Sequence, residues 1–470
     1  MIRLVFAALV SALGYLALLV ESDWGLAWPR VALVVAILIV AYATGLRGVV
    51  GSWRFPFLGF VSRPGSASIG TPSRAGWLQG PGMETRVLAL VWGGAVVFRL
   101  LVLFHPPTLS DDLYRYLWDG RVLLSGTNPY RFPPSAPELA PLRDALWPLI
   151  NNPTLPTIYP PLLMLLFAGV AAISPTVLAW KAVVTIFDLA AGFFIQRGLA
   201  ARGMPRAWVI VYLWHPLPVI EFAGNGHADA VGLLLVALAL AVWNARPLAA
   251  GTALALAGLV KFLPWVALPA LLPRLRGKWL LLPLLVVAFY LPFQVGGVNA
   301  LGSLGVFAMK WRSNDLLFSF LVPAHPAETG LAHAKMIAAG AAATVWLALI
   351  ALRRPWPSVY AWTVGTLLLV SPVVHPWYVA WLLPALVFLP QPAWWVWSFT
   401  VFLAYAPLAA WKAGGVWEES LAHKIWEVAP VLALLPLQAW LETRAKPERD
   451  VPATGFPTGS ESGTSSRTGG

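Results

Sequence analysis

The chain contains no cysteine, which excludes disulfides and thiolate metal sites. Charge is almost as scarce. Only 11% of the 470 residues are charged, against roughly 25% in a soluble domain. No internal repeat stands out. Apolar side chains fill the gap, with 59% hydrophobic residues and a mean hydropathy of +0.72. Apolar stretches recur along nearly the whole length, and a bilayer core needs about 20 such residues per span. In lipid, backbone groups must be satisfied within the segment, so these stretches read as helices. The 26 tryptophans suit aromatic belts at the two interfaces. The expected fold is all-α: a polytopic integral membrane protein of about 14 transmembrane helices, with a large outer loop carrying juxtamembrane helices.

The net charge of +12 could point to nucleic acid, but its distribution points to topology instead. With the N-terminus inside, Arg47, Arg54, Arg63, Arg74 and Arg86 share a cytoplasmic loop. Arg197, Arg202 and Arg206, then Arg274, Arg276 and Lys278, then Arg353 and Arg354 fall on the same side, as positive-inside loops should. The first segment lacks a clear small-residue cleavage site and reads as a retained helix. The expected organisation is a transmembrane hairpin (1–50), a flexible cytoplasmic loop (51–86), a transmembrane catalytic region (87–445, outer loop 105–160) and a disordered cytoplasmic tail (446–470). The run from Pro160 to Ile173 is apolar but short and proline-bounded. Were it to span, the basic loop at 197–206 would move outside, so it reads as juxtamembrane or re-entrant. Segments 247–260 and 262–273, with Lys261 between them, read as a broken pair lining a cavity.

Ionisable residues gather at the outer turns. Asp111 and Asp112 follow a helix end in the outer loop. Repulsion between adjacent carboxylates raises one pKa, which suits a base or a cation site; a helix cap at Leu113 is the plainer alternative. A second cluster runs from Trp214-His215-Pro216 through Glu221 to Asn225, His227 and Asp229, read as the outer turn between two spans. Polar groups at membrane depth are expensive and suggest function, although caps at an interfacial turn would explain some of them. Ligand spacing for a metal at His215, His227 and Asp229 is absent. Lys261 can snorkel or present a cation to a lipid phosphate. His375 sits among aromatics at another outer turn, while Arg99 and Asp188 lie within spans and are expected to pair structurally.

Several of these motifs, in this order, resemble the multi-span GT-C glycosyltransferases that use polyprenyl- or dolichyl-phosphate sugars. The resemblance covers roughly 87–390 and is nearest to the glycosylphosphatidylinositol mannosyltransferase I family and related bacterial mannosyltransferases. It rests on Asp111-Asp112, Gly126-Thr127-Asn128-Pro129-Tyr130-Arg131, Tyr159-Pro160-Pro161, His215-Pro216-Leu217-Pro218, Gly224-Asn225-Gly226-His227-Ala228-Asp229, Gly258-Leu259-Val260-Lys261-Phe262 and His375-Pro376-Trp377-Tyr378. The family carries Asp-x-Asp in the outer loop. Here Ser110 stands at the first position and Asp112 at the second, with Asp111 between, so a single catalytic aspartate survives.

The resemblance implies a cell-membrane glycosyltransferase, a mannosyltransferase by family, with its active site on the non-cytoplasmic side. A polyprenyl-phosphate sugar is the implied donor and a lipid or glycan the acceptor, with no nucleic-acid partner. Asp112 or Asp111 is the expected base. Lys261, then Arg121, Arg131 and His375, are the expected phosphate ligands. Asn225, His227, Asp229 and Tyr130 are the expected sugar or acceptor contacts. No soluble nucleotide sugar is needed; no cofactor is assigned, and a divalent metal stays open. The first two spans have no assigned counterpart. The alternatives are a multi-span lipid or glycan transporter or flippase, and a non-catalytic subunit for a cell-surface glycan.

Overall fold

A computed structural model describes residues 1–50, 82–295, 297–322 and 328–444. Most of the expected cytoplasmic loop (51–86) and all of the expected tail (446–470) lie outside the described residues. Among the described residues the chain forms helices and turns without a named strand; one isolated bridge joins Ser313 to Val373. Among the described residues, seven helices are long and apolar enough to cross a membrane, or eight if one bent pair is a single span.

That number is lower than the expected count of apolar segments: some are shorter apolar helices, such as Ile2–Leu18 and Asp229–Val242, and proline interrupts others. A proline inside a helix removes a backbone donor and crowds the preceding turn. Pro264 and Pro269 accordingly lie in a 3₁₀ stretch, Leu263–Leu271, rather than an α-helix. Leu263–Phe293 is long enough for one span, yet its two ends meet the same polar layer. Lys261, just before it, bonds Asp229, and the Phe293 carbonyl accepts from Asn128. Midway, Arg274 bonds Asn244. The chain therefore descends and returns, reversing near Arg276, whose φ is 51°.

The opening helices α1 (Ile2–Leu18) and α2 (Trp28–Val50) form an antiparallel hairpin. Helix α3 (Met83–Leu103) leads to the loop that carries α4 (Asp112–Leu124). Helix α5 (Pro161–Ile173) packs on α4. Its 13 residues rise about 20 Å, less than a hydrocarbon core of about 30 Å.

Helix α6 (Val177–Ala201) is tied to α3 by the expected ion pair. Arg99 Nε lies 2.5 Å from Asp188 Oδ2, both fully buried. Tyr212 donates to Asp188 at 2.7 Å, and Arg99 also reaches the Leu213 carbonyl at 2.8 Å. Breaking one partner of so buried a pair typically costs about 3–5 kcal/mol.

One sequence expectation needs correction. The segment through His215 is not part of one outer turn with Asn225, His227 and Asp229. It is two helices, Arg206–Leu213 and Pro216–Gly224, bent by 53°. Pro216 cannot donate to the preceding turn, and His215 Nδ1 instead accepts from the Leu217 N–H at 3.1 Å. His215 is fully buried in the bend, 2.9 Å from Ser398 Oγ and stacked on Phe399. It is therefore separate from the turn at Asn225–Ala228.

The bundle has two chemically different ends. At one, Arg206 meets Glu84, Arg202 reaches the Leu240 carbonyl and Arg354 the Glu442 carbonyl. At the other lie the long 105–160 loop, the turn before Asp229, Lys261 and the 371–378 turn, which converge on one cavity.

Candidate active-site cavity

The cavity has a volume of about 1230 Å³ and takes its walls from at least six separated stretches of the chain. Asp111, Asp112, Asp229, Lys261 and His375 all line it. Residues far apart in sequence are thus brought to one recess, as a ligand site requires.

The acidic pair stands at the start of α4. Asp111 occupies the N-cap position but makes no side-chain cap bond. Ser110 Oγ instead accepts the Asp112 N–H at 3.3 Å. The capping reading of the two carboxylates therefore fails, and both carboxyls are left for the cavity. Asn151 Nδ2 donates to Asp112 Oδ1 at 2.6 Å and to Asp111 Oδ1 at 2.9 Å. The loop bearing Asn151 is held by Arg115, which reaches the Asn152 and Leu155 carbonyls and pairs with Asp119 at 2.9 Å.

Asp111 is exposed and Asp112 half-buried at the cavity wall, and the protein around them disfavours their charged forms. Burial raises the pKa of Asp111. Burial and then the neighbouring Asp111 charge push Asp112 up to about 7. A carboxylate poised near neutrality is suited to take a proton.

Facing Asp112 is a fixed cation. Lys261 Nζ lies 2.7 Å from Asp229 Oδ1 and 3.5 Å above the centre of the Tyr378 ring. Trp381 Nε1 also donates to Asp229 Oδ1, at 2.6 Å. Gly232 makes that contact possible, because a Cβ there would come within 2.0 Å of the Trp381 ring. The nearby wall is a stack: Trp377 lies between His375 (4.5 Å, 6°) and His227 (3.8 Å, 16°).

Five expected contact residues lie off the cavity, each for a visible reason. Arg121 pairs with Asp144 and sits over Trp118. Arg131 is exposed beside Phe132. The Tyr130 hydroxyl donates to the Tyr159 carbonyl at 2.6 Å. Asn225 accepts from the Leu109 N–H and donates to the Ile220 carbonyl. His227 is buried behind Trp377, 3.4 Å from Glu221.

Other cavity residues carried no motif. Asn151 follows its partners by about forty positions in a proline-rich loop. Asp23 comes from the α1–α2 turn and Lys412 from the helix Leu408–Lys412. The Tyr405 hydroxyl donates to Glu221 at 3.0 Å. Among the described residues, no group of three or more His, Asp or Glu side chains is arranged to hold a metal ion.

Apolar helices long enough to cross a membrane, around a cavity of carboxylates, a lysine and aromatic rings, point to a membrane protein with a polar site among the described residues. The family model for the alpha-(1->6)-mannopyranosyltransferase N-terminal domain matches residues 3–275. That is more than half of the 470 residues, and the chain belongs to this mannosyltransferase family. The mannosyltransferase level of the sequence resemblance is thereby supported; the glycosylphosphatidylinositol branch is not what matches. The match also takes in α1 and α2, which the resemblance had left aside, and stops short of His375 and Lys412. No curated protein and no solved structure matches the chain.

Proposed function

We propose that the chain transfers mannose from a polyprenyl-phosphate donor to a lipid or glycan acceptor at the non-cytoplasmic face of the cell membrane. The observation that carries this reading is the meeting of Asp112 and Lys261 in one cavity beside an apolar wall of Phe262, Leu263, Val266 and Leu304.

Asp112 takes the proton of the acceptor hydroxyl as its oxygen attacks the anomeric carbon. The new C–O bond forms as the bond to the phosphate oxygen breaks, and the electron pair leaves on polyprenyl phosphate. Lys261 meets the charge that grows there, already oriented by Asp229 and Tyr378. Direct displacement inverts the anomeric centre, so an α linkage requires a β-linked donor. The apolar wall accommodates the isoprenoid. Asp229 acts on Lys261 rather than on sugar, and His375 lines the phosphate side. Sidedness rests on charge, since the end opposite the cavity carries Arg202, Arg206, Arg274 and Arg354.

The test is mannose transfer by the purified full chain in liposomes, with a short-chain polyprenyl-phosphate mannose and a membrane-lipid extract. Asp112→Ala should lose about 10²–10⁴-fold in rate while keeping its fold. Wild-type transfer by that variant would remove Asp112 as the base. Failure of the wild type to consume any of several lipid-phosphate sugars would favour the transporter reading.

A further inference from the structure

The transfer reading uses only part of the cavity. A second arm is lined by Asp23 and Lys412, which meet there. Lys412 Nζ is 3.0 Å from Asp23 Oδ1 and 2.7 Å from Oδ2. Trp411 and Trp417 line the same arm, 54% and 39% exposed.

This arm is built rather than incidental. Asp23 Oδ1 accepts the Leu26 N–H at 2.9 Å, which fixes the α1–α2 turn. Trp24 donates its backbone N–H to Thr108 Oγ1 at 2.9 Å, and its ring stacks on His105. Gly25 lets the turn sit directly on the helix bearing Lys412. A Cβ there would come within 2.8 Å of Leu408 and 2.9 Å of the lysine stem. Trp417 Nε1 donates to Glu419 at 3.2 Å, and Glu419 accepts the Asn314 N–H on the adjoining wall.

The chemistry of this arm differs from that around Lys261. Its cation is matched by both oxygens of one carboxylate, so an anion would have to displace Asp23. Open tryptophan faces beside a carboxylate and an ammonium suit a neutral, polyhydroxylated ring, whose C–H face covers the aromatic and whose hydroxyls bond the charges. The position fits as well. The charge of Lys412 acts on Asp111, while those of Lys261 and Asp229 act on Asp112. Both groups line the same cavity as the acidic pair, so a hydroxyl held at one can meet a donor held at the other.

We propose that Asp23, Lys412, Trp411 and Trp417 form the acceptor subsite and that its ligand is the terminal residue of a neutral saccharide. The proposal rests on the transfer reading and narrows its acceptor to a glycan.

The experiment is equilibrium binding of a radiolabelled octyl α-(1→6)-mannotrioside to the purified full chain in detergent, without donor. Saturable binding is expected. Trp411→Ala and Trp417→Ala should each weaken it about tenfold or more, and Trp411→Phe should recover part of the loss. Lys261→Gln, in the other arm, should leave it unchanged. No saturable binding, undiminished binding in both alanine variants, or loss on Lys261→Gln would each overturn the subsite. Because no donor is present, the two readings fail separately. A chain that binds the trioside through its tryptophans yet consumes no lipid-phosphate mannose keeps the subsite and loses the donor. Transfer that depends on Asp112 with trioside binding indifferent to both tryptophans does the reverse.

Discussion

The two lysine–aspartate pairs in the cavity with Asp111 and Asp112 have the same 2.7 Å contact and equally exposed lysines, but differently buried carboxylates. Lys261 and Asp229 are 27% and 7% exposed, and Asp229 holds a second donor from Trp381. Lys412 and Asp23 are 28% and 32% exposed, at the meeting of a turn and a helix end. The first carboxylate is committed to orienting its lysine, and such preorganisation is what stabilises charge developing in a reaction. The second carboxylate is less buried, and a partly exposed ion pair is worth only about 0–1 kcal/mol. Equal geometry thus serves different ends because burial differs.

The sharpest break of this comparison is to neutralise each lysine in turn. Lys261→Met should lower transfer by about 10²–10³-fold, mainly in kcat. Lys412→Met should cost less than about tenfold and act on acceptor KM. Two-substrate kinetics on the purified chain would show it, and equal losses in kcat would erase the distinction.

A smaller effect concerns the acidic pair. Asp112 works as a base only when ionised, and burial reinforced by the Asp111 charge holds its pKa at about 7. Transfer should therefore rise with pH through about 7 and level off above it. Asp111→Asn removes the like charge, so Asp112 ionises at lower pH and the limb should move to the acid side. A pH–rate profile that stays in place would detach this limb from the pair.

The smallest effect is expected outside the cavity. Arg121 is held by Asp144 on the loop surface, so Arg121→Ala should leave transfer within about twofold of wild type. A much larger loss of rate at unchanged thermal stability would return Arg121 to the donor site.

Much of the helical architecture was readable because hydropathy is a local property. A 13-residue apolar run between prolines is too short for a hydrocarbon core, and α5 forms a helix of that length. An arginine and an aspartate within apolar segments need partners, and Arg99 and Asp188 find each other. Proline chemistry was readable less fully. The bend at His215 needed Ser398 and Phe399 to receive the ring, and neither is signalled near Pro216. The reversal near Arg276 likewise depends on contacts that place both ends of Leu263–Phe293 in one polar layer.

For the site, the sequence alone singled out Asp111, Asp112, Asp229, Lys261 and His375, since charged or polar groups beside apolar runs are costly and conspicuous. It equally singled out Arg121, Arg131, Tyr130, Asn225 and His227, which lie off the cavity. Only the tertiary structure could separate the two sets. Whether a polar group is left for a ligand depends on what else bonds it, and those partners lie far along the chain: Leu109 for Asn225, Tyr159 for Tyr130, Asp144 for Arg121. The same distance hid Asn151 from its aspartates, and Asp23 from Lys412. Residue type and local hydropathy determined that this is a helical membrane protein with a polar site. Long-range packing decided which polar groups that site contains, because satisfaction of a hydrogen bond is settled by neighbours in space.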